Sequence, residues 1–430
     1  MKSNNKAAVE LTMMNHDSKA LLIEWWNGAV NRVRGRVSVR DYLNSNSYAE
    51  GDYTVIAVGK AASDMMLGAH DVLGHQLKSG LVLTKYAHID EELIQYEHIF
   101  CHESAHPIPD QHSMDAGNIL LEEVLNIPED HHVLMLISGG ASSLVEVPVK
   151  GVDLAKLQEL NNWGLNSGLD INEMNYMRQK ISLIKGGGLC RYFGQQSVQC
   201  LYISDVPEDN LEVIGSGLLY SKREISDFIN VKTRTKIDKF LRDIDVRSLD
   251  KRLSPARSAQ FSHAIIADNC KAKQYILTQA LEEGFSTPGE SQCIDLNYQD
   301  VAELILQQLT DGPEGVYVWG GEPTVVLPEN PGLGGRNQAL ALLLAVKLSG
   351  IEGVSVLVAG TDGTDGPTDA AGGVIDGDTY QQALLANANP DESLERADAY
   401  PCLAACNALF VPGPTGTNVM DLIIAYKKEA

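Results

Sequence analysis

Positive charge is scarce in this sequence. Its 430 residues include 34 lysines and arginines against 57 aspartates and glutamates, which gives a formal net charge of −23. So acidic a chain is repelled by nucleic acid and by anionic membrane surfaces, and neither is expected as a partner. If the substrate is itself an anion, basic residues must be concentrated locally to overcome the field of the whole protein.

Long apolar runs and cysteine motifs are missing as well. No stretch reaches the roughly 18 consecutive apolar residues of a membrane-spanning helix, and the amino-terminal segment lacks the apolar core of a signal peptide. The 7 cysteines are odd in number and include no CxxC pair, which fits free thiols in a reducing compartment. We therefore expect a cytoplasmic protein without a structural zinc site.

What the sequence contains is a repeated alternation of strand and helix patterns. Short apolar runs rich in β-formers end abruptly in turns rich in glycine or aspartate, and a helical pattern often follows. Continuous apolar runs of this length are typical of strands buried on both faces, as in a parallel sheet covered by helices. The sequence thus predicts an α/β fold. The runs occupy residues 53–58, 132–137, 198–203, 316–319 and 354–358.

The segment from residue 221 to about 262 departs from this pattern. It is rich in charge and contains no glycine. We interpret it as surface helices that join two α/β halves, because the strand–turn–helix pattern resumes near residue 264. At roughly 100–200 residues per domain, a chain of 430 residues accommodates such a division.

Two strand exits in the first half are candidate anion sites. Lys60 follows a glycine directly after the strand at 53–58, where a helix N-terminus and a mobile ammonium would attract phosphate. After the strand at 132–137, Ser138, Gly139, Gly140 and Ser142 fall in a turn whose backbone amides can approach a ligand closely. A surface lysine and a plain βα turn are the alternatives. We favour an anion cradle over a serine nucleophile, because the pattern is not GxSxG.

Two further segments of the first half carry charged residues at suggestive positions. Arg178 and Lys185 lie seven residues apart, two helical turns along one side, and Gly186 and Gly187 interrupt the helix. A solvated outer face would explain the arginine but not the run of glycines. Asp205 comes directly after the strand at 198–203, as a metal ligand, a general base or a helix cap would.

The second half places an arginine where helices prefer acids. Arg336 and Asn337 open a long apolar helix after two glycines. A cation in the first turn opposes the helix dipole, so the arginine is expected to serve a ligand rather than the helix. Glu322 follows the strand at 316–319, at the same kind of position as Asp205.

Two more turns of the second half are rich in small and acidic residues. Asp362, Asp365 and Asp369 share one glycine-rich loop, and clustered carboxylates repel unless a cation or basic residues lie among them. An acidic, solvated loop is the alternative. Near the C-terminus, Thr415 and Asn418 lie in a turn that opens an apolar stretch.

Lysines, an arginine, glycine-rich strand exits and clustered aspartates together suit phosphoryl transfer. Basic groups and backbone amides bind phosphate oxygens, and carboxylates bind Mg²⁺. Neither GxxxxGK[ST] nor the protein-kinase signature is present. From the residues alone, the sequence indicates an α/β enzyme that handles phosphate and a metal.

Taken together, these turns resemble the glycerate 2-kinase family of the GckA/TtuD type, whose C-terminal part is the MOFRL domain. The resemblance runs from residue 59 to about 422. It implies ATP and Mg²⁺ as cofactors and phosphorylation of the 2-hydroxyl of D-glycerate. The matching segments are GKAA, HPIPD, LISGGASSL, INEMNYMRQKISLIKGGGL, ISDVPEDNLEVIGSG, GGEPTVVL, GLGGRNQALAL, GTDGTDGPTDAAGG and GPTGTNVMDL.

The resemblance also implies an architecture and two essential residues. It predicts a Rossmann-like N-terminal domain over residues 1–255 and a smaller α/β domain of the MOFRL type over residues 256–430, with the active site in a cleft between them. The family's essential lysine falls on Lys60 and its arginine on Arg336.

The same resemblance suggests roles for the remaining turns. Residues 138–142 and 185–187 would cradle phosphates. Asp205, Glu322 or Asp362 would bind Mg²⁺ or accept the hydroxyl proton, and the sequence does not choose among the three.

Because the sequence departs from the family pattern in three places, it does not decide which substrate the protein uses. Proline and threonine are missing after Ser216 and Gly217, Ala339 replaces a usual glutamate, and Gly188 replaces an arginine. The alternatives are a kinase for another small hydroxy acid, a hydroxypyruvate reductase and a sugar-acid or nucleotide sensor without activity. The reductase is disfavoured because no GxGxxG element follows a strand. The sequence is compatible with a homodimer but does not decide the oligomeric state.

Overall fold

The computed structural model describes residues 18–46, 48–167, 169, 171–220, 230–244, 259–289 and 293–428. The chain divides into two units. The first unit spans residues 34–267, and the second combines the chain up to Val33 with the chain from Asp268 onward. Each unit contains one six-stranded sheet, which confirms the predicted pair of α/β domains.

The described helices and strands alternate along most of the chain. In chain order they are α1 (Ser18–Arg32), α2 (Gly35–Ser45), β1 (Tyr53–Val58), α3 (Ala62–Leu73), β2 (Leu77–Lys85), β3 (Ile99–Ser104), α4 (Gln111–Asn126), β4 (His132–Ile137), α5 (Ala141–Leu144), α6 (Leu154–Asn166), α7 (Ile171–Ile181), β5 (Ser197–Ile203), α8 (Val231–Phe240), β6 (Gln260–Ala267), α9 (Asn269–Glu282), β7 (Cys293–Ile294), α10 (Tyr298–Asp311), β8 (Gly315–Gly321), α11 (Arg336–Lys347), β9 (Val354–Gly360), β10 (Gly372–Asp376), α12 (Thr379–Leu385), α13 (Pro390–Glu395), α14 (Ala399–Ala405), β11 (Leu409–Phe410) and β12 (Asp421–Lys427).

The sheet of the first unit is entirely parallel. Its strand order is β3-β2-β1-β4-β5-β6, the order of a doubly wound Rossmann sheet. The winding direction reverses between β1 and β4, whose last residues Val58 and Ile137 are paired. In such sheets ligands bind outside the carboxyl ends of the strands at this switch point. The turns that follow β1 and β4 therefore occupy the position where a ligand is expected.

A separate helical cluster lies within the first unit. Helices α6, α7 and α8 share a small apolar core, in which the rings of Trp163 and Phe240 stack at 4.1 Å between centroids. Met174, Met177 and Ile181 of α7 are buried in this core, as their helical spacing predicts. This packing fixes which side of α7 is turned away from the core.

The sheet of the second unit is mixed, which corrects the expectation of a parallel sheet around residues 316–319 and 354–358. Its order is β11-β10-β9-β12-β8-β7, and β12 runs antiparallel to both β8 and β9. All residues of β8 and β9 are buried because helices pack against the sheet. A continuous apolar run indicates that both faces of a strand are buried. It does not indicate whether the strand runs parallel or antiparallel to its neighbours.

The first helix packs with the second unit, although the sequence places it in the domain 1–255. Trp25 and Trp26 of α1 contact Phe285 and Phe410 edge to face, at 5.3 and 4.9 Å between ring centroids. Burial of two indole rings is a sufficient reason for this placement.

The predicted boundary after residue 255 lies outside the described residues, as does most of the predicted joining segment. The strand that follows, β6, pairs with β5 of the first sheet. Among the described residues, no helix is both long enough and apolar enough to cross a membrane.

Candidate active site

The turns after β1 and β4 are hydrogen-bonded to each other. The amide of Lys60 donates to the carbonyl of Gly139 at 2.9 Å, and the amide of Ala61 donates to the hydroxyl of Ser138 at 3.0 Å. Gly59 has φ 130°, and a Cβ there would lie 2.2 Å from the Ser138 Oγ. Only glycine fits this approach. The structure thus brings Lys60 and the Ser138 turn together, as parallel strands at a switch point require.

A histidine that the sequence reasoning did not select lies beside this turn. Gly140 has φ 85°, and a Cβ there would lie 3.0 Å from His106 Cδ2 and 3.1 Å from Lys60 Cγ. His106 follows the end of β3, and the amide of the preceding Ala105 donates to the Asp110 carboxylate at 3.4 Å. The signal for His106 was its place after a strand of the same parallel sheet.

Two further residues of the first unit lie near strand ends. Ser142 is half-buried in the short helix α5. Asp205 is also half-buried and comes two residues after the end of β5. Both positions agree with the strand exits expected from the sequence.

Lys185 is a fully buried member of an ion pair. Its side chain is 0% exposed, and its ammonium donates to the Glu146 carboxylate and, at 3.4 Å, to the carbonyl of Val145. Burial lowers the pKa of Lys185, against the opposing effect of Glu146. The predicted phosphate ligand therefore has its charge compensated inside the protein.

The glycines after Lys185 bind a neighbouring turn. The amides of Gly186 and Gly187 donate to the carbonyls of Ser216 and Gly217 at 3.0 and 2.7 Å. Both glycines have positive φ, 59° and 74°. These two amides were predicted to bind phosphate. In the structure they instead bind the Ser216–Gly217 turn, where the sequence departs from the family pattern.

Arg178 lies close to the buried pair but has a different environment. Its Nε donates to the Asn161 side-chain oxygen at 3.3 Å. Burial lowers the pKa of Arg178, and the charge of Glu146 only partly offsets that effect. The expectation that Arg178 and Lys185 lie along one side of a single helix is wrong, because α7 ends at Ile181 and Lys185 follows in the next turn. The two cations are nevertheless close enough for the charge of Arg178 to lower the pKa of Lys185.

In the second unit, Arg336 binds two carboxylates. Its Nε and Nη2 donate to Asp421 at 2.6 and 3.2 Å, and its Nη1 lies 2.7 Å from Glu322. Asp421 is only 2% exposed, whereas Glu322 is 46% exposed. These carboxylates raise the pKa of Arg336 even though burial works in the opposite direction. The outer edge of the guanidinium is therefore the one that a ligand could reach.

The N-terminus of α11 already has a carboxylate partner. Asp365 is 3% exposed and accepts from the amide of Gln338 at 2.9 Å. Burial raises the pKa of Asp365 to about 7, with a smaller contribution from Asp421. Asn337 is 1% exposed, and neither its side-chain oxygen nor its nitrogen has a hydrogen-bond partner among the described residues.

The remaining predicted residues line the neighbouring turns of the second unit. The Thr415 hydroxyl donates to the carbonyl of Thr361 at 2.6 Å, which ties the C-terminal turn to the end of β9. Asp362 is half-buried and accepts from the amide of Thr364 at 3.1 Å. Asn418 is 8% exposed.

Two buried carboxylates were missed at the sequence level. Asp421 opens the buried strand β12, and Glu146 interrupts the apolar run LVEVPV. A single acid within an apolar run was the available signal, because an ionised carboxylate is buried only with a partner.

No preformed cation cage is present among the described residues, where no cluster of three or more His, Cys, Asp or Glu side chains could hold a metal ion. The three carboxylates predicted to bind metal lie in both units, with Asp205 in the first and Glu322 and Asp362 in the second. The oxygen chemistry of Asp205 and Asp362 nevertheless fits Mg²⁺, which needs only one or two protein carboxylates when phosphates supply further ligands.

Two family models match the chain in succession. The domain of unknown function DUF4147 matches residues 21–248, and the MOFRL family matches residues 315–421. Among individual relatives, a D-glycerate 2-kinase of Thermotoga maritima is 37% identical over 379 residues, which covers 86% of this chain and 89% of the relative. A protein of Agrobacterium vitis that is provisionally named a hydroxypyruvate reductase is 33% identical over 389 residues, covering 86% of this chain and 98% of that protein.

The fold agrees with these matches. The crystal structure of a glycerate kinase from Thermotoga maritima superimposes with a TM-score of 0.83 at 33% identity, covering 95% of this chain and 99% of that one. These matches place the chain in a class of enzymes, the kinases, since both Thermotoga maritima proteins are named glycerate kinases. The chain belongs to the glycerate 2-kinase family, in which a DUF4147 region precedes a MOFRL domain.

Proposed function

We propose that this protein is a D-glycerate 2-kinase, which transfers the γ-phosphoryl group of ATP to the 2-hydroxyl of D-glycerate and releases ADP and 2-phosphoglycerate. The observation that carries the proposal is the hydrogen-bonded pair of turns at the switch point, where the amide of Lys60 donates to Gly139 at 2.9 Å. A lysine beside a glycine turn is suited to phosphate oxygens. Similarity to kinases over most of the chain supports the same conclusion.

Lys60 and the turn from Ser138 to Ser142 act on the phosphate groups in this proposal. The transferring phosphoryl carries negative charge on its equatorial oxygens, and a positioned ammonium lowers the energy of that arrangement. The close contact of Gly59 with Ser138 fixes the backbone from which Lys60 extends.

Arg336 supplies the second positive charge of the reaction. Asp421 fixes its Nε and Nη2, so that Nη1 is presented at a defined angle. In our proposal the exposed Glu322 carboxylate moves away from Nη1 when an anionic group of the substrate binds there. Asn337, Thr415 and Asn418 are proposed to contact the substrates from the neighbouring turns.

Mg²⁺ is proposed as the accompanying metal, and bound Mg²⁺ neutralises phosphate charge. Asp205 and Asp362, both half-buried at strand ends, are the candidate ligands and the candidate acceptors of the hydroxyl proton. Glu322 is the weaker candidate because its carboxylate binds Arg336 at 2.7 Å. We further propose action in the cytoplasm and assembly as a homodimer.

The test is ADP release with Mg-ATP and D-glycerate, with the product coupled directly to enolase and no mutase added. Signal through enolase alone establishes phosphorylation at the 2-hydroxyl. ADP release without an enolase signal would place the phosphate on the 3-hydroxyl and refute the positional claim. No ADP release, together with NADH oxidation on hydroxypyruvate, would favour the reductase named among the relatives.

Lys60→Ala tests the assignment of the lysine. Turnover should fall by orders of magnitude in a folded protein, because a charge acting on the transition state is lost. Lys78→Ala is the matched control, since Lys78 lies near the opposite end of the same sheet, on β2, and its ammonium is 3.5 Å from Asp52. Near-normal turnover in Lys60→Ala would contradict the assignment.

A further inference from the structure

Helix α7 turns a polar face toward the Ser216 turn. Asn175 and Gln179 lie four residues apart on one side of the helix. The Ser216 hydroxyl donates to the Asn175 oxygen at 2.7 Å, and the Gln179 side-chain nitrogen donates to the Ser216 carbonyl at 3.2 Å. Arg178, three residues after Asn175, projects from the same region of the helix surface. Ser216 itself has φ 57°, a conformation that the two contacts help to hold.

Asn175 has a donor group without a partner in the part of the chain that the structure describes. The residue is 1% exposed, and its Nδ2 has no hydrogen-bond partner among the described residues. Its oxygen is fixed by Ser216, so the amide cannot rotate without losing that bond. Buried donors are rarely left unpaired, and each one that is unpaired requires an explanation.

Arg178 has no carboxylate of its own to neutralise it among the residues that the structure describes. In the described part of the chain its one hydrogen bond is made by Nε to the neutral Asn161. Glu146 is near enough to act on it electrostatically, but that carboxylate binds the buried ammonium of Lys185. Two cations thus share one carboxylate, and burial lowers the pKa of Arg178. A bound anion would restore the balance of charge.

We propose that Asn175 and Arg178 form a binding site for a carboxylate, and that in this enzyme the ligand is the carboxylate of the hydroxy-acid substrate. An amide donor and a guanidinium fork match the two oxygens of a carboxylate. In this arrangement the Lys60 turn at the switch point binds the phosphates of the nucleotide. The identity of the ligand rests on the proposed function, whereas the site itself does not.

Calorimetric titration of the full chain tests the site without requiring turnover. Wild-type protein is titrated with D-glycerate, with ADP, and with glycerol as the neutral analogue that lacks the carboxylate. Arg178→Gln should weaken D-glycerate binding about 10- to 100-fold and leave ADP binding unchanged, because a charge-assisted hydrogen bond is lost. Glycerol should bind wild type and variant equally.

Lys180→Gln is the matched control. It removes one positive charge from the same helix, and the Lys180 ammonium lies 5.2 Å from the centroid of the Tyr176 ring rather than at the polar face. It should leave both affinities unchanged. Asn175→Asp is the second variant, because it keeps an acceptor for Ser216 while replacing the unpaired donor with a charge that repels carboxylate. It keeps the test decisive if Arg178→Gln does not fold.

Three results would overturn the proposal: wild-type affinity for D-glycerate in both variants, no D-glycerate binding by the wild type, or loss of ADP affinity in place of D-glycerate affinity. The last result would mean that the site takes phosphate. The proposed function is judged separately. If wild type binds D-glycerate through Arg178 but forms no phosphoglycerate, the kinase proposal fails and the site stands.

Discussion

Asp365 is a buried carboxylate of the second unit whose ionisation opposes folding. It is 3% exposed, and burial raises its pKa from 3.8 to about 7. Asp421, which binds Arg336, adds a like charge nearby, while the amide of Gln338 donates to Asp365 at 2.9 Å and works in the opposite direction. The folded protein therefore binds this proton more tightly than the unfolded chain does.

The sign of the effect on stability follows from that difference in pKa. Between about pH 4 and pH 7 the folded state retains a proton that the unfolded state releases, so the free energy of unfolding falls as the pH rises. The stabilisation is complete below the unfolded pKa and is lost as the pH passes through the folded value of about 7. At about 1.4 kcal/mol per pH unit the total is up to ~4 kcal/mol, of which roughly 2–3 kcal/mol is lost between pH 5 and pH 8.

Asp365→Asn removes this titration while retaining an oxygen that can accept from Gln338. Urea unfolding of wild type and variant, followed by tryptophan fluorescence at pH 5 and pH 8, measures the effect. We expect the variant to lose about 2–3 kcal/mol less than wild type across this interval. Asp369→Asn makes the same chemical change at an exposed position of the same loop and should behave like wild type. Equal pH dependence in Asp365→Asn and wild type would refute the reasoning.

Two further predictions concern the ion pairs and the glycine turn. Asp421→Asn should cost about 1–3 kcal/mol of unfolding free energy, because it removes the buried partner of a guanidinium that is itself 33% exposed, whereas Glu322→Gln, at 46% exposure, should cost under about 1 kcal/mol. Equal losses in urea unfolding would show that burial does not distinguish the two partners of Arg336. Gly140→Ala and Gly151→Ala should each cost about 1–2 kcal/mol, since their φ angles are 85° and 90°. Only Gly140→Ala should lower kcat, because a methyl group at Gly151 meets nothing within 4 Å; retained kcat in Gly140→Ala would contradict the proposed role of that turn.

The two strand exits that carry Lys60 and Ser138 could be selected from the sequence. A glycine-rich exit after each of two buried strands, in a parallel sheet, places both exits at the same edge. In the structure β1 pairs with β4, and the turns that follow them are hydrogen-bonded to each other. The family resemblance added the chemistry, which topology alone does not specify.

The depth of Lys185 could not be anticipated in the same way. Its spacing from Arg178 predicted two positions along one helix, but the helix ends at Ile181, and spacing gives no information on burial. The deciding residue was Glu146, an isolated acid in an apolar run that follows α5. Whether a lysine binds a ligand or an internal carboxylate depends on that long-range contact, and no local pattern encodes it.

The direction of the strands in the second sheet could not be predicted from the sequence, for a related reason. Apolar runs at residues 316–319 and 354–358 report two buried faces, whereas direction depends on which strand lies between them. That strand is β12, which comes last in the chain and inserts antiparallel to both. Because β12 opens with Asp421, the same insertion places the carboxylate that binds Arg336.

The net charge of −23 raised the question of how an acidic protein binds an anionic substrate. The described residues offer an answer in the pairing of its buried charges. Lys185 is compensated by Glu146, and Arg336 is fixed by Asp421, so neither cation depends on substrate for its stability. Arg178 instead has a neutral hydrogen-bond partner and shares the field of a carboxylate that is already bound. A cation whose charge is only partly neutralised attracts an anion at short range. The exposed acids lie farther away, and solvent and salt screen their repulsion.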